Sequence, residues 1–421
     1  MVIDMQNINT YLGFLQIHVT DSGSRVPVGD ARVRISPTGE EQQVIEELVT
    51  DSSGLSDQVP LPAPPIDLSL IPETEIQPYA EYDITVEAPG FHSVAVRGVQ
   101  ILPDTRAVQD VRLPIIDEPP EAQLPDTIVI PPHTLWYEYP PKIPEDPVKP
   151  LPEGEGFVVL PEPVVPEFVV VHDGVPSDPN APNYYVPFTD YIKNVACNEI
   201  YSTWPVEAIE ANVLAIISFT MNRVYTEWYR GQGYNFTITS STAYDQKFTY
   251  GRNIFAEISN IVDYLFTTFI TKPDIRQPLL TQYCNGTTIT CPEWLSQWGS
   301  KALSDQGFDA VQILRTYYGQ DIYLAEAERV SGIPISYPGT PLQVGSVGPN
   351  VRTIQEQLNA ISDNYPAIPK IRVDGIFGEQ TRNAVMTFQR IFNLPETGIV
   401  DFATWYRISH IYVAVTRLAE L

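Results

Sequence analysis

The chain predicts a multidomain α+β protein. We expect an N-terminal β-sandwich over residues 1–116, a Pro-rich linker over 117–187, a mainly helical domain over 188–335 and a C-terminal three-helix domain over 336–421. Three observations predict this. Apolar and polar residues alternate in short runs through residue 114, the period of half-buried strands. Residues 117–187 hold 18 of the 40 prolines and 13 acidic against 2 basic side chains, so no sheet or helix can run through them. Beyond that span apolar residues recur at three- and four-residue spacing. A length of 421 residues suits two to four domains.

The strands are expected at 14–19, 31–35, 83–86 and 94–96, with turns at 21–23, 51–54 and Pro89-Gly90. The linker should be extended and semi-rigid. Its apolar runs 157–160 and 168–171 are more than a passive spacer needs and should pack as edge strands on a neighbouring domain. An exposed extended segment is also what a protease requires. Helices are expected at 188–199, capped by Thr189 or Asp190, and at 206–230, opened by Pro205 after Trp204. Further helices are expected at 254–270 and at 304–318, the last stopped by Gly319. In the C-terminal domain Val351, Ile354, Gln355 and Leu358 share one helix face. Asp374-Gly375 and Phe377-Gly378 form a turn. Thr381, Ala384, Val385, Phe388 and Gln389 follow on a second helix, and Gly398 precedes a third that carries Trp405 as a core or groove aromatic.

The formal charge is -27, which argues against nucleic acid or an anionic membrane as partner. No apolar run reaches the length of a membrane span, and residues 1–10 lack the basic start and apolar core of a signal peptide. Of three cysteines, Cys284 and Cys291 are close enough for a local disulfide; the alternative is three reduced, partly buried thiols. Five histidines, none near Cys284, make a zinc site unexpected, and no metal or cofactor is expected.

Three resemblances add to this. The blocks G-x-x-V-x-x-x-Q-x-x-L from Gly348, V-D-G-I-F-G-E-Q-T from Val373 and L-P-E-T-G-I-V-D-F-A-T-W from Leu394 resemble the peptidoglycan-binding domain of cell-wall hydrolases. Gly13, Asp21, Pro27, Ala31, Thr50, Asp51, Gly54, Tyr82, Val86, Gly90 and Phe91 resemble the regulatory β-sandwich of carboxypeptidases, which is non-catalytic in its relatives. The blocks 188–212, 240–246 and 295–319 resemble stage II sporulation protein D, a lytic transglycosylase of sporulating bacteria. The chain departs from that family in having Glu199-Ile200-Tyr201 for Glu-Met-Pro, and Gln282 to Gly286 for a His- and Ser-rich segment.

The resemblance implies that Glu199 is the catalytic acid. It would protonate the bond between N-acetylmuramic acid and N-acetylglucosamine, then take the proton of the muramic 6-hydroxyl to leave a 1,6-anhydro ring. Ser240, Asp245, Gln246, Ser296, Gln297, Trp298 and Trp204 are implied to line the glycan cleft, or else serve as caps and core. The domain order is similar to the clostridial spore cortex-lytic enzymes. It implies a zymogen in the spore cortex, with peptidoglycan as partner and a subtilisin-like germination protease that cuts within 142–166. The readings set against this are a non-catalytic wall-binding or spore structural protein, and a vegetative or phage-associated wall enzyme.

Overall fold

The structure is a computed structural model that describes residues 11–23, 25–72, 74–116, 126–150, 162–287, 291–327 and 329–416. The chain is mixed α/β. Its first part comprises β1 (Tyr11–Asp21), β2 (Arg32–Pro37), β3 (Glu46–Val49), β4 (Val59–Ala63), the short helix α1 (Asp67–Leu70), β5 (Ala80–Glu87), β6 (Val94–Ile101) and β7 (Arg106–Leu113). One sheet places β1 between β7 and β4; the other runs β3-β2-β5-β6. Alternation places Leu15, Ile17 and Val19 of β1 in a core shared with Val33, Ile35, Ile84, Val86 and Val96 of the second sheet. Asp51 closes the turn before Leu55 by accepting from the Ser53 and Leu55 amides at 2.8 and 3.1 Å.

Both sheets borrow a strand from later in the chain. β8 (Thr127–Val129) lies parallel to β6, and Ile254–Phe255 pairs antiparallel with Val108 and Ala107 of β7.

The Pro-rich span is not a free spacer where it is described. Proline removes donors but leaves carbonyls, and these bond sideways to other segments. Residues 131–150 have no regular structure, yet they run as a strap along the central region. The Ile143 amide donates to Ala243 O (2.7 Å), the Leu280 amide donates to Pro147 O (2.9 Å), and the Gln277 amide group bonds both the N–H and the carbonyl of Lys149 (2.9 Å each). β9 (Val164–Val165) pairs with Arg329–Val330. β10 (Phe168–His172) lies between β11 (Asn183–Pro187) and β12 (Ile238–Thr239), so it is a central strand and not the expected edge. The run 157–160 lies outside the described residues.

The central region packs α2 (Phe188–Glu199) and α3 (Val206–Tyr225) against β13 (Ile254–Phe255), α4 (Ala256–Leu265), β14 (Thr268–Thr271), β15 (Tyr283–Cys284), β16 (Leu295–Ser296), α5 (Gln297–Ser304), α6 (Ala310–Tyr318), β17 (Tyr323–Glu326) and β18 (Arg329–Val330). α3 is buried from Ala211 through Arg223 on every side, as expected of a helix running through a core. It stops at Tyr225, short of residue 230; Glu227 then takes a left-handed φ of 46°. The helix expected at 254–270 shortens at both ends. Ile254 and Phe255 join β7, and the β-branched run Thr267, Thr268, Ile270, Thr271 favours the strand that pairs with β17. The helix expected at 304–318 begins only at Ala310, as α6, after a separate helix, α5, that ends at Ser304. Asp309 and Gln312 form a capping box that restarts the backbone after a break.

The C-terminal domain comprises α7 (Pro349–Asn364), α8 (Glu379–Ile391) and α9 (Phe402–Thr416). It contains one device twice. Gln355 donates to Asp374 Oδ1, Ile376 O and Thr381 Oγ1 at 3.0–3.2 Å and accepts from the Asp374 and Gly375 amides at 3.1 and 2.8 Å. Gln389 repeats this with Thr397 Oγ1, Ile399 O, Thr404 Oγ1 and the Gly398 amide. Gly375 and Gly398 both take positive φ, 75° and 68°. Each glutamine is almost fully buried and spends its whole amide on a Gly-Ile turn and the Thr of the next helix. Gln355→Leu strands several of these groups at once, so it should cost about 3 kcal/mol, measured as a lowered urea midpoint for this domain. Trp405 is a core residue: it is fully buried and donates its indole N–H to Ile335 O at 3.0 Å.

Candidate active site

Glu199 is the last residue of α2 and is only 4% exposed. Its Oε1 accepts from the Lys247 amide (2.8 Å). Its Oε2 accepts from Gln297 Nε2 (3.2 Å), which also bonds Glu199 O (2.9 Å). Gln297 is placed because Ser296 caps α5, its hydroxyl accepting from the Gly299 amide at 2.9 Å. Glu199, Gln297 and Ser296 are therefore brought together from segments almost 100 residues apart.

The other expected cleft residues are placed differently. Asp245 is fully buried and accepts from Arg223 Nε (2.7 Å), the Tyr229 hydroxyl (2.7 Å), and the amide and hydroxyl of Thr239 (2.9 and 2.7 Å). Gln246 is likewise consumed by Tyr191, Thr220 and Ile216. Both are fully buried and face neighbours of the core, not a cleft; both shape the loop that carries the Lys247 amide. Ser240 is buried, its amide bonded to His172 O (2.9 Å). Trp204 and Trp298 pack on each other with ring centroids 4.9 Å apart, and the Trp204 indole donates to Ser69 O (2.9 Å). They are core aromatics and present no open stacking face. Cys284 and Cys291 form a disulfide, while Cys197 is a buried thiol whose pKa burial pushes up to about 11. Among the described residues no group of three or more His, Cys, Asp or Glu side chains is arranged to hold a metal ion.

Beside Glu199 runs the strap, which the sequence did not reveal; its Tyr139 and Lys142 lie within electrostatic reach of the carboxylate. Thr134 donates its amide (3.1 Å) and hydroxyl (2.8 Å) to Asn198 O. The Tyr139 ring lies 5.2 Å from the Lys247 ammonium. Lys142 drives its ammonium into the loop, donating to Asp245 O and standing 4.8 Å from the Tyr283 ring centroid. Burial pushes the pKa of Lys142 down, while the Glu199 and Asp245 carboxylates pull it up. Glu145 forms a bidentate pair with Arg223 (2.6 and 3.1 Å) and also bonds Lys149 (2.7 Å). The one available signal was that Lys142 and Lys149 are the only cations in an otherwise acidic span.

His133 gives the strap a pH response. Its Nε2 faces Ile200 O (3.3 Å) and its Nδ1 accepts from the Leu135 amide (3.2 Å), an arrangement that fits only the neutral ring. Burial, then Arg252, holds its pKa well below the usual value. A depressed histidine pKa means that the unfolded chain takes up the proton first, so stability present at pH 7 should be lost as pH falls below about 6.5. Urea midpoints at pH 7 and pH 5 should differ less in His133→Gln than in the wild-type chain.

A family model of a peptidoglycan binding domain matches residues 347–408, the segment that holds both glutamine devices. This makes peptidoglycan a partner and associates the chain with the cell wall. No helix among the described residues is long and apolar enough to cross a membrane. No curated protein matches the chain. Among solved structures, the Bacillus anthracis TIE protein is 12% identical over 25% of this chain and 17% of its own (TM-score 0.18). A membrane-associated protein of unknown function from Bacteroides fragilis is 15% identical over 26% of this chain and 29% of its own (TM-score 0.16). Catechol 1,2-dioxygenase from Pseudomonas arvilla is 15% identical over 29% of this chain and 58% of its own (TM-score 0.18). The chain thus spans less than two thirds of the length of each of these proteins.

Proposed function

We propose that the chain is the zymogen of a peptidoglycan lytic transglycosylase that degrades spore cortex during germination. Glu199 is its acid, and a subtilisin-like germination protease activates it by removing the N-terminal region. The observation that carries this reading is the state of Glu199: a carboxyl held at both oxygens, in a protein with a wall-binding domain, and flanked by a strap from the span where cleavage is expected.

The chemistry needs one carboxyl that first donates and then accepts a proton at the glycosidic bond. The Lys247 amide and Gln297 fix the direction of both oxygens without consuming the proton. The 6-hydroxyl of the muramic residue is the nucleophile, so a second carboxylate to activate water is not required. Residues 142–150 are pinned against the central region and do not suit a protease cleft. The cut is therefore expected within 151–161, outside the described residues.

The test is to digest cortex peptidoglycan with the full chain after subtilisin-type proteolysis, beside its Glu199→Gln form. Anhydro-muropeptides from the first and none from the second are expected, read by mass spectrometry. Reducing-end products would make it a hydrolase. Wall binding without products from either would favour a non-catalytic wall-binding or spore structural protein, a reading that the completed hydrogen bonding of Glu199 also suits. Equal digestion of walls with and without muramic δ-lactam would point to a vegetative wall enzyme.

A further inference from the structure

A cavity of about 350 Å³ lies where the N-terminal sheets, the central region and the C-terminal helices meet. Its lining includes Asp110 and Arg112 of β7, Asp190 of α2, Tyr250, and Asn393 and Arg407 of the C-terminal domain. Three guanidiniums, Arg112, Arg252 and Arg407, and the Lys193 ammonium line it against two carboxylates. Among the described residues the Arg112 side chain has no hydrogen-bond or ion-pair partner. Arg407 pairs with Asp190 Oδ1 at 3.6 Å, and against its burial Asp190, Asp263 and Asp110 together raise its pKa, yet its Nε is buried without a partner. Arg25 stands close behind; burial, then Arg112 and Arg407, push its pKa down against the pull of Asp190 and Asp110. Asp110 is drawn aside by His18 Nδ1 at 3.1 Å. His18 Nε2 and Asn393 Oδ1, on two more lining residues, are also buried with no partner.

Cations crowded together and polar atoms left unpaired are costly in a protein interior. In a chain of net charge -27 there is no shortage of carboxylates, yet among the described residues only Asp110 and Asp190 line the cavity against its four cations, with Asp263 taken by Lys193. Water would satisfy the orphaned nitrogens but not the charge. The volume falls in the range of small-molecule sites and exceeds what one inorganic ion fills. Tyr184 and Tyr250, stacked at 4.6 Å, supply a flat apolar wall beside the guanidiniums.

We propose that this cavity is a binding site for a sugar-sized organic molecule bearing a carboxylate or phosphate, held by Arg112 and Arg407. Its ring lies against the tyrosine pair and its oxyanion bridges guanidiniums from two domains. The site is separate from Glu199, and the proposal stands whether or not the chain cleaves glycan.

Calorimetric titration of the full chain tests it with three probes: N-acetylmuramic acid, N-acetylglucosamine 6-phosphate and neutral N-acetylglucosamine. We expect the anionic probes to bind, with affinity falling as salt rises, and the neutral one not to bind at the same concentration. Whichever anion binds more tightly identifies the oxyanion. Arg112→Gln and Arg407→Gln should each weaken binding at least about tenfold. A merely structural arginine would lower the melting temperature of the ligand-free chain when replaced; the proposal expects ligand-free Arg112→Gln to melt no lower than wild type, since it relieves repulsion. Equal binding of neutral and anionic probes, unchanged affinity in Arg112→Gln, or a lower ligand-free melting temperature would each overturn the proposal. Should Arg407→Gln fail to fold, because it packs on Phe392, the Arg112→Gln measurements decide alone.

Discussion

Uncut chain carrying Lys142→Glu should release muropeptides from cortex peptidoglycan about 100-fold faster than uncut wild-type chain. The substitution removes the ammonium that donates to Asp245 O and puts a carboxylate into the neighbourhood of Glu199 and Asp245. Exchanging a part-buried cation bonded to carbonyls for an anion beside two carboxylates costs about 3 kcal/mol. The closed strap carries that cost and the open one does not, so the ratio of open to closed chain rises about 100-fold. Adding Glu199→Gln to the same chain should abolish the release. A rate equal to wild type in a folded Lys142→Glu chain would mean that the strap is not what withholds activity. Ile143→Pro offers a second route to the same state, because it deletes the amide that bonds Ala243 O and leaves Lys142 intact.

Asp245→Ala should destabilise the full chain by about 3–5 kcal/mol, read as a large fall in urea midpoint. Arg223 is fully buried, and its Nε depends on this carboxylate, as do the Tyr229 hydroxyl and the Thr239 amide. Removing the carboxylate strands all of them. Asp245→Asn keeps an acceptor but loses the charge and should cost less than the alanine form. If Asp245 instead contacted substrate, the asparagine form would keep its midpoint and lose affinity for glycan.

Much of the fold was legible because its signals are local. The alternation of 14–19 and 31–35, the stop before Pro205, and the Asp374-Gly375 turn each depend on residues adjacent in sequence. The pairing of Cys284 with Cys291 was legible for the same reason. What escaped was long-range. Nothing near Ile254–Phe255 announces that two residues of a helical pattern will complete a sheet begun at Tyr11. The internal repeat in the C-terminal domain was missed because its shared V-x-T-x-Q and Gly-Ile segments are spaced differently: the glutamine and its glycine are 20 residues apart in one copy and 9 in the other. At the candidate site, Glu199 was reached through resemblance. Asp245 and Gln246 were read as sugar contacts because a polar residue in a matched block looks the same whether it faces a ligand or a buried arginine. Tyr139 and Glu145 were invisible and Lys142 stood out only as a rare cation, since a proline-rich sequence states what the backbone cannot form and not where it lies.

The sheet shared by β7 and Ile254–Phe255 also bears on timing. Around it, Asn253 and Arg252 bond Gln100 at 2.7–3.2 Å, and Gln109 bonds Gly251 O at 2.9 Å. Severing the backbone near residue 155 touches none of these, so the two pieces stay docked after the peptide bond is gone. Scission and separation are then consecutive events. The second is a spontaneous dissociation with its own half-life, hastened by dilution and reversed by crowding of the freed pieces. A protease would arm the molecule at once, but the delay before it acts would be written in the strength of a two-residue strand pairing, three buried amides and the strap's own bonds, the Glu145–Arg223 pair foremost.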